Sequence, residues 1–188
     1  DQLSKVPSEI GSMINYGWDS RVANALQKRA IEETRLGIPI IFGYDAIHGF
    51  RTCFAIPLAQ GASFNRELVG EAARITAQEA YMGGINWSFS PMVDIARDAR
   101  WGRVMEGYGE DTYLCSRFAE AAVKGYQGEG DKELGKDRVI ARMKHYVAYG
   151  ACIGGRDYNS ADMSLQTLHD VYLPPFKAGI DAGAVTVM

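Results

Sequence analysis

Three short segments of this chain hold side chains able to do chemistry, and they lie far apart in sequence. The first is GYDAIHG, which carries Asp45 and His48. A carboxylate there can accept two hydrogen bonds from neighbouring hydroxyls, the way a sugar is gripped. Asp45 reads equally well as a helix cap, and His48 as a structural histidine. The second, PMVDIARDARWGRVMEGYGED over 91–111, crowds together Asp94, Arg97, Asp98, Arg100, Trp101, Arg103, Glu106, Glu110 and Asp111. Charges at that density need partners, so most of them should interlock as structure. Arginine's rigid fork of donors suits vicinal hydroxyls or a carboxylate, and one arginine reaching a pocket is enough for function. The third, KHYVAYGACIGGRDYN over 144–159, adds Lys144, His145, Arg156, Asp157 and Asn159. An inward lysine is costly unless it meets acceptors, and a solvated lysine beside a packed histidine explains the pair as well. Turn chemistry alone explains Arg156, Asp157 and Asn159.

The elements that must position these segments alternate between two textures. Short β-branched or aromatic runs occur at 38–44, 85–93, 139–146 and 184–188, each bounded by Gly, Asp or a polar cluster. A fifth strand is expected around 12–16. Between them, apolar residues recur at helical spacing over 22–31, 65–81, 112–127 and 164–182, with Asp19 or Ser20 capping the first. Pro174 and Pro175 should bend or split the last helix. Gly128–Lys136 reads as a solvated connection.

Strand–helix alternation predicts parallel strands joined by right-handed crossovers, hence an α/β domain. A complete (β/α)8 barrel takes about 250 residues. An open doubly wound sheet is the other closure such alternation allows; if the sheet closes as a barrel, 188 residues with four or five strands make a partial TIM barrel over 1–188, truncated at its C-terminal end. In a barrel, the loops after the strands build the site. Each of the three segments follows a predicted strand, so all three should converge on one rim. Lys144 and His145 are adjacent, so their side chains should start on opposite faces unless the strand has ended.

Composition removes several function classes. A net charge of −3 with scattered basic residues argues against nucleic acid. No apolar stretch reaches the roughly 20 residues a bilayer demands. The three cysteines are widely separated and form no CxxC pair, which predicts small buried or half-buried thiols. His48, His145 and His169 lack ligand spacing, with His169 expected on a solvent-facing helix position. No metal or cofactor is called for, and no GxSxG elbow, P-loop or dinucleotide fingerprint is present. Asp1 in place of Met leaves open a lost targeting segment.

Taken with their order and gaps, RLGIPIIFGYDAIHG, FSPMVDIARDARWGRVMEGYGED and ARMKHYVAYGACIGGRDYN resemble the N-terminal barrel of glycoside hydrolase family 3 β-glucosidases and β-xylosidases. YLPPFKAGIDAG adds to the likeness. The resemblance implies that Asp45, Arg103, Lys144 and His145 bind the sugar, with Arg156 and Asp157 supporting them. It implies a retaining, exo-acting enzyme cutting terminal non-reducing β-D-glucosides or xylosides. The nucleophile and the acid/base are then expected beyond Met188, supplied by the remainder of the polypeptide, and the 188 residues alone should be inactive. A periplasmic or secreted location is also implied. KHYVAYG lacks the histidine-bearing loop that follows KHFPGHG-like strings in the N-acetylglucosaminide branch. Two departures stand out: Ala99 replaces the usual proline, and Cys152-Ile153 replaces a step that commonly contains Ala or Glu. Two other readings of the same residues remain: a non-catalytic carbohydrate-binding barrel, and a lyase using Lys144 as a Schiff-base nucleophile.

Overall fold

The computed structural model describes residues 5–14, 19–129 and 134–188. Five short strands form one parallel sheet in chain order: β1 (Ser12–Ile14), β2 (Ile41–Tyr44), β3 (Trp87–Ser88), β4 (Ile140–Met143) and β5 (Thr186–Val187). Every neighbouring pair is parallel. That order decides between the two closures open to an α/β chain. A doubly wound sheet reverses direction at a switch point. Here each new strand joins the same growing edge, so all crossovers run one way and the helices fall on one side, as in a barrel. The chain forms an arc of one.

The helices start where side chains satisfy the first free N–H groups. Asp19 caps α1 (Ser20–Glu32) by accepting from Arg21 N. Asn65 caps α3 (Arg66–Met82) and Asp111 caps α4 (Thr112–Gln127), each accepting from the third residue onward. The main core lies between α3, α4 and the sheet and includes Val69, Ile85, Phe118, Val123 and Val139. It is the apolar stripe of each helix packed on one sheet face.

Several expectations need adjusting. The run over 85–93 forms a strand of only two residues, because Pro91 has no N–H to give the ladder. The segment still tracks β4, with Val93 N donating to Lys144 O and a bridge between Met92 and Lys144. A short helix, α2 (Pro57–Ala62), was not anticipated; six residues beginning at a proline are too few to show periodicity. The stretch over 164–182 divides as the prolines suggested. α5 (Leu165–Thr167) runs into a π-turn over Leu168–Tyr172, and α6 (Pro174–Asp181) restarts with Pro174 in its first turn. His169 is exposed. Of the expected connection at 128–136, residues 130–133 lie outside the described residues, as does Tyr16 of the expected first strand. Cys115 and Cys152 are buried, but Cys53 is exposed, contrary to expectation. It sits on a surface turn that Glu79 ties down by accepting from Arg51 N, Thr52 N and Thr52 Oγ1.

Candidate active site

The three chemically loaded segments follow β2, β3 and β4, and they meet. Asp45 comes directly after β2 and Lys144 directly after β4. The Lys144 ammonium donates to both oxygens of Asp45, each at 2.8 Å. A second carboxylate, Glu106, lies 3.8 Å from the same nitrogen. The lysine that was costly on paper is therefore fully matched, at the bottom of a cavity of about 670 Å³ lined also by Arg103, His145, Tyr149 and Tyr158.

Arg103 is held in turn. Its Nε and Nη2 donate to the two oxygens of Glu106 at 2.6 and 2.7 Å, a two-pronged pairing that fixes the plane of the guanidinium. Its free edge faces His145, with Nη1 at 3.4 Å from Nε2. His145 is clamped from behind by Asp94, whose Oδ2 accepts from the backbone N at 2.9 Å and from Nδ1 at 2.8 Å. The contact with Asp94 occupies Nδ1 and turns Nε2 toward Arg103 and the cavity. The Asp94 side chain is fully buried, and its Oδ1 has no partner among the described residues. Asp157 backs the wall, accepting from Tyr149 Oη at 2.6 Å and Trp101 Nε1 at 2.9 Å. Those two bonds hold its carboxyl below the usual carboxylate range.

Asp45, Arg103, Lys144 and His145 thus line one cavity. Lys144 and His145 both reach it because β4 ends at Met143, and the strict alternation of a strand ends with it. Asp157 stands behind the wall, whereas Arg156 is exposed and is not among the lining residues. His48 lies outside the cavity, its Nδ1 3.1 Å from Phe54 O, in keeping with its structural reading. The charge-dense segment contains two local pairs, Asp98 with Arg100 and Arg103 with Glu106, beside the long-range contacts of Asp94 with His145 and of Glu106 with Lys144. Asp98 takes Arg100 in a contact that lowers its pKa to about 2, and this pair closes the turn containing Ala99. Cys152 packs with Met92, Ala96 and Trp101. Asp94, Glu106 and Tyr149 were not singled out from the sequence. Only their adjacency to chosen residues, at fixed spacing in the second and third segments, hinted at them. Among the described residues no group of His, Cys, Asp or Glu is arranged to hold a metal, and no helix is long and apolar enough to cross a membrane.

One titration consequence follows. Burial pushes the Glu106 carboxyl up, but the Arg103 guanidinium, backed by Lys144 and His145, outweighs it and leaves the group below the ordinary glutamate range. A carboxyl depressed by folding stabilises above its unfolded pKa of about 4.3 and loses that contribution as pH falls through the folded value. Acidification through and below the usual glutamate range should therefore lower the thermal midpoint. Replacement Glu106→Gln should flatten that part of the profile, which a series of melts against pH would measure.

Comparison with known proteins agrees with this fold. The profile of the glycosyl hydrolase family 3 N-terminal domain matches residues 8–188. A periplasmic β-glucosidase of Salmonella typhimurium is 47% identical over 187 residues, covering 95% of this chain and 24% of its own length. A β-xylosidase of Formosa agariphila is 38% identical over 181 residues, covering 90% of this chain and 25% of its own. Among solved structures, a β-glucosidase from Listeria innocua in complex with isofagomine superposes over all of this chain and 27% of its own, with a TM-score of 0.91 and 41% identity. A mutant of a Listeria innocua β-glucosidase in complex with laminaribiose gives 0.90 and 43%, over 96% of this chain and 25% of its own. The chain spans about a quarter of the length of these relatives. With a matching profile over nearly its full length and the same barrel arc, the chain belongs to glycosyl hydrolase family 3, as its N-terminal domain.

Proposed function

We propose that this chain is the glycone-binding part of a retaining, exo-acting β-glycosidase that hydrolyses terminal non-reducing β-D-glucosides or xylosides. One observation carries the reading: four donors and acceptors from three distant loops converge on one cavity, and only one of the lining residues, Asp45, is a carboxylate. Retaining hydrolysis needs two carboxyl groups about 5–5.5 Å apart, one to attack the anomeric carbon and one to protonate the leaving oxygen. Asp45 is already committed to Lys144. Asp45, Arg103, Lys144 and His145 therefore act by holding the sugar, and the nucleophile and acid/base come from the rest of the polypeptide, beyond Met188. Positioning a reactant for in-line attack lowers the barrier without any chemistry by the positioning groups. Arg156 and Asp157 serve as supports, Asp157 by fixing Tyr149 and Trp101. The Salmonella relative's name supports a periplasmic or secreted setting.

The Schiff-base reading loses ground on the geometry of Lys144. An amine donating to both oxygens of one carboxylate, with another close by, has no free lone pair to attack a carbonyl. The test compares the 188-residue chain with the polypeptide extended past Met188, on p-nitrophenyl β-glucoside and β-xyloside. Turnover should appear only in the extended protein. A 2-fluoro-glycoside that traps the covalent intermediate should label a carboxylate outside these residues. Turnover by the short chain, or labelling of Asp45, would overturn the reading.

A further inference from the structure

The cavity has a polar floor and an aromatic rim, and the glycone grip leaves the outer ring of that rim, Tyr158, without a role. Tyr158 is 86% exposed, although it is one of the larger apolar surfaces a protein can present. Its backbone sits at φ 60°, in the left-handed region, which a bulky residue enters only where its surroundings require it. The requirement is visible: Asn159 N donates to Arg156 O and Asn159 Nδ2 to Ile153 O, closing the turn that thrusts Tyr158 outward. The ring is also backed. It lies 5.5 Å from the Tyr149 ring, tilted by 37°. Tyr149 is pinned by Asp157 through its hydroxyl and is packed edge-on to His145, with the Arg103 guanidinium 5.5 Å from its centroid. An aromatic path therefore leads out of the polar floor in two steps of equal length, from Arg103 to Tyr149 and from Tyr149 to Tyr158. Each step is comparable to the span of one pyranose.

Pyranose rings have hydroxylated edges and apolar C–H faces. The edges suit Asp45, Arg103, Lys144 and His145; a face suits an exposed, rigidly backed ring. We propose that Tyr158 is the platform of a leaving-group subsite, stacking the sugar or aryl aglycone on the reducing side of the scissile bond. This rests on the glycosidase reading above and adds to it a preference for β-linked substrates whose aglycone has a flat apolar face. Asp157 and Tyr149 act through Tyr158 as positioning residues.

The experiment uses the full-length polypeptide and two kinds of ligand, one filling the floor alone and one reaching the rim. For Tyr158→Ala, inhibition by a monosaccharide such as glucose should stay within about two-fold, while kcat/KM for a β-linked disaccharide falls about ten-fold, the scale of a lost aromatic contact. Tyr158→Phe should restore the disaccharide value, because the stacking face and not the hydroxyl is used. An alanine variant that weakens both ligands alike would make Tyr158 a structural residue, and one that weakens neither would leave it without a binding role; either result overturns the proposal while leaving the glycone site standing. An unsubstituted protein that takes no sugar at all would remove the functional reading and this one with it.

Discussion

Asp45→Ala is expected to cost more folding stability than Lys144→Met, although both should weaken sugar binding strongly. The two side chains share one ion pair, but Lys144 is 1% exposed and Asp45 is 50% exposed. Deleting the carboxylate leaves a buried ammonium with only Glu106, 3.8 Å away, for compensation. Leaving a buried charge without its partner costs about 3–5 kcal/mol, and the residual carboxylate puts this case near 3. Deleting the ammonium leaves Asp45 free to take up water, and methionine refills much of the lysine's slot, so the loss should be about 1 kcal/mol or less. Urea midpoints would rank the variants. Equal losses, or the reverse order, would mean that Lys144 is better hydrated than its surroundings suggest. Sugar affinity should fall at least about 100-fold in both, since each removes one charged partner from the proposed grip.

The second large effect concerns the crossing of α3 and α4, where two glycines approach and should respond with opposite signs. Alanine is ordinarily better than glycine inside a helix by about 0.5–1 kcal/mol. At Gly125 that rule should fail. A Cβ there would stand 2.4 Å from Gly70 O and 2.7 Å from the Ala73 Cβ, both parts of a packed neighbour that cannot swing away. Gly125→Ala should therefore destabilise by about 1–3 kcal/mol as the helices are forced apart. At Gly70 the nearest atom is Ala121 O at 3.4 Å, an ordinary contact, so Gly70→Ala should be neutral or slightly stabilising. Denaturation of the two single variants decides it; a stabilised Gly125→Ala would show that the helices have room to spare.

The features legible in the sequence were those carried by local patterns. Asp19 was one of two caps offered by the first helical run, and the apolar spacing of 65–81 and 112–127 began within one residue of the helices that Asn65 and Asp111 cap, because capping and periodicity are both settled locally. The loops after β2, β3 and β4 announced a site because the winding of parallel strands puts successive loops on one rim. What could not be read was pairing chosen by tertiary contact. Asp94 looked like one charge among eight in its segment, and only the fold shows that it, and not Asp98, stands under His145. Glu106 was equally anonymous until Arg103 closed on it. Strand lengths were overestimated for a similar reason. An apolar run marks burial on both faces, whereas a ladder also needs N–H groups in register, and Pro91 interrupts that register.

The stepwise order of the sheet has one more implication. β1 pairs only with β2 and β5 only with β4, so each flank of the arc offers a line of backbone donors and acceptors with nothing beside it among the described residues. Ile14 on one flank and Val187 on the other are partly uncovered. Such flanks are templates for any extended chain that passes. Prepared by itself, this polypeptide should tend to add to its own copies, flank against flank, and its solution behaviour would then report that association before it reported anything about sugars.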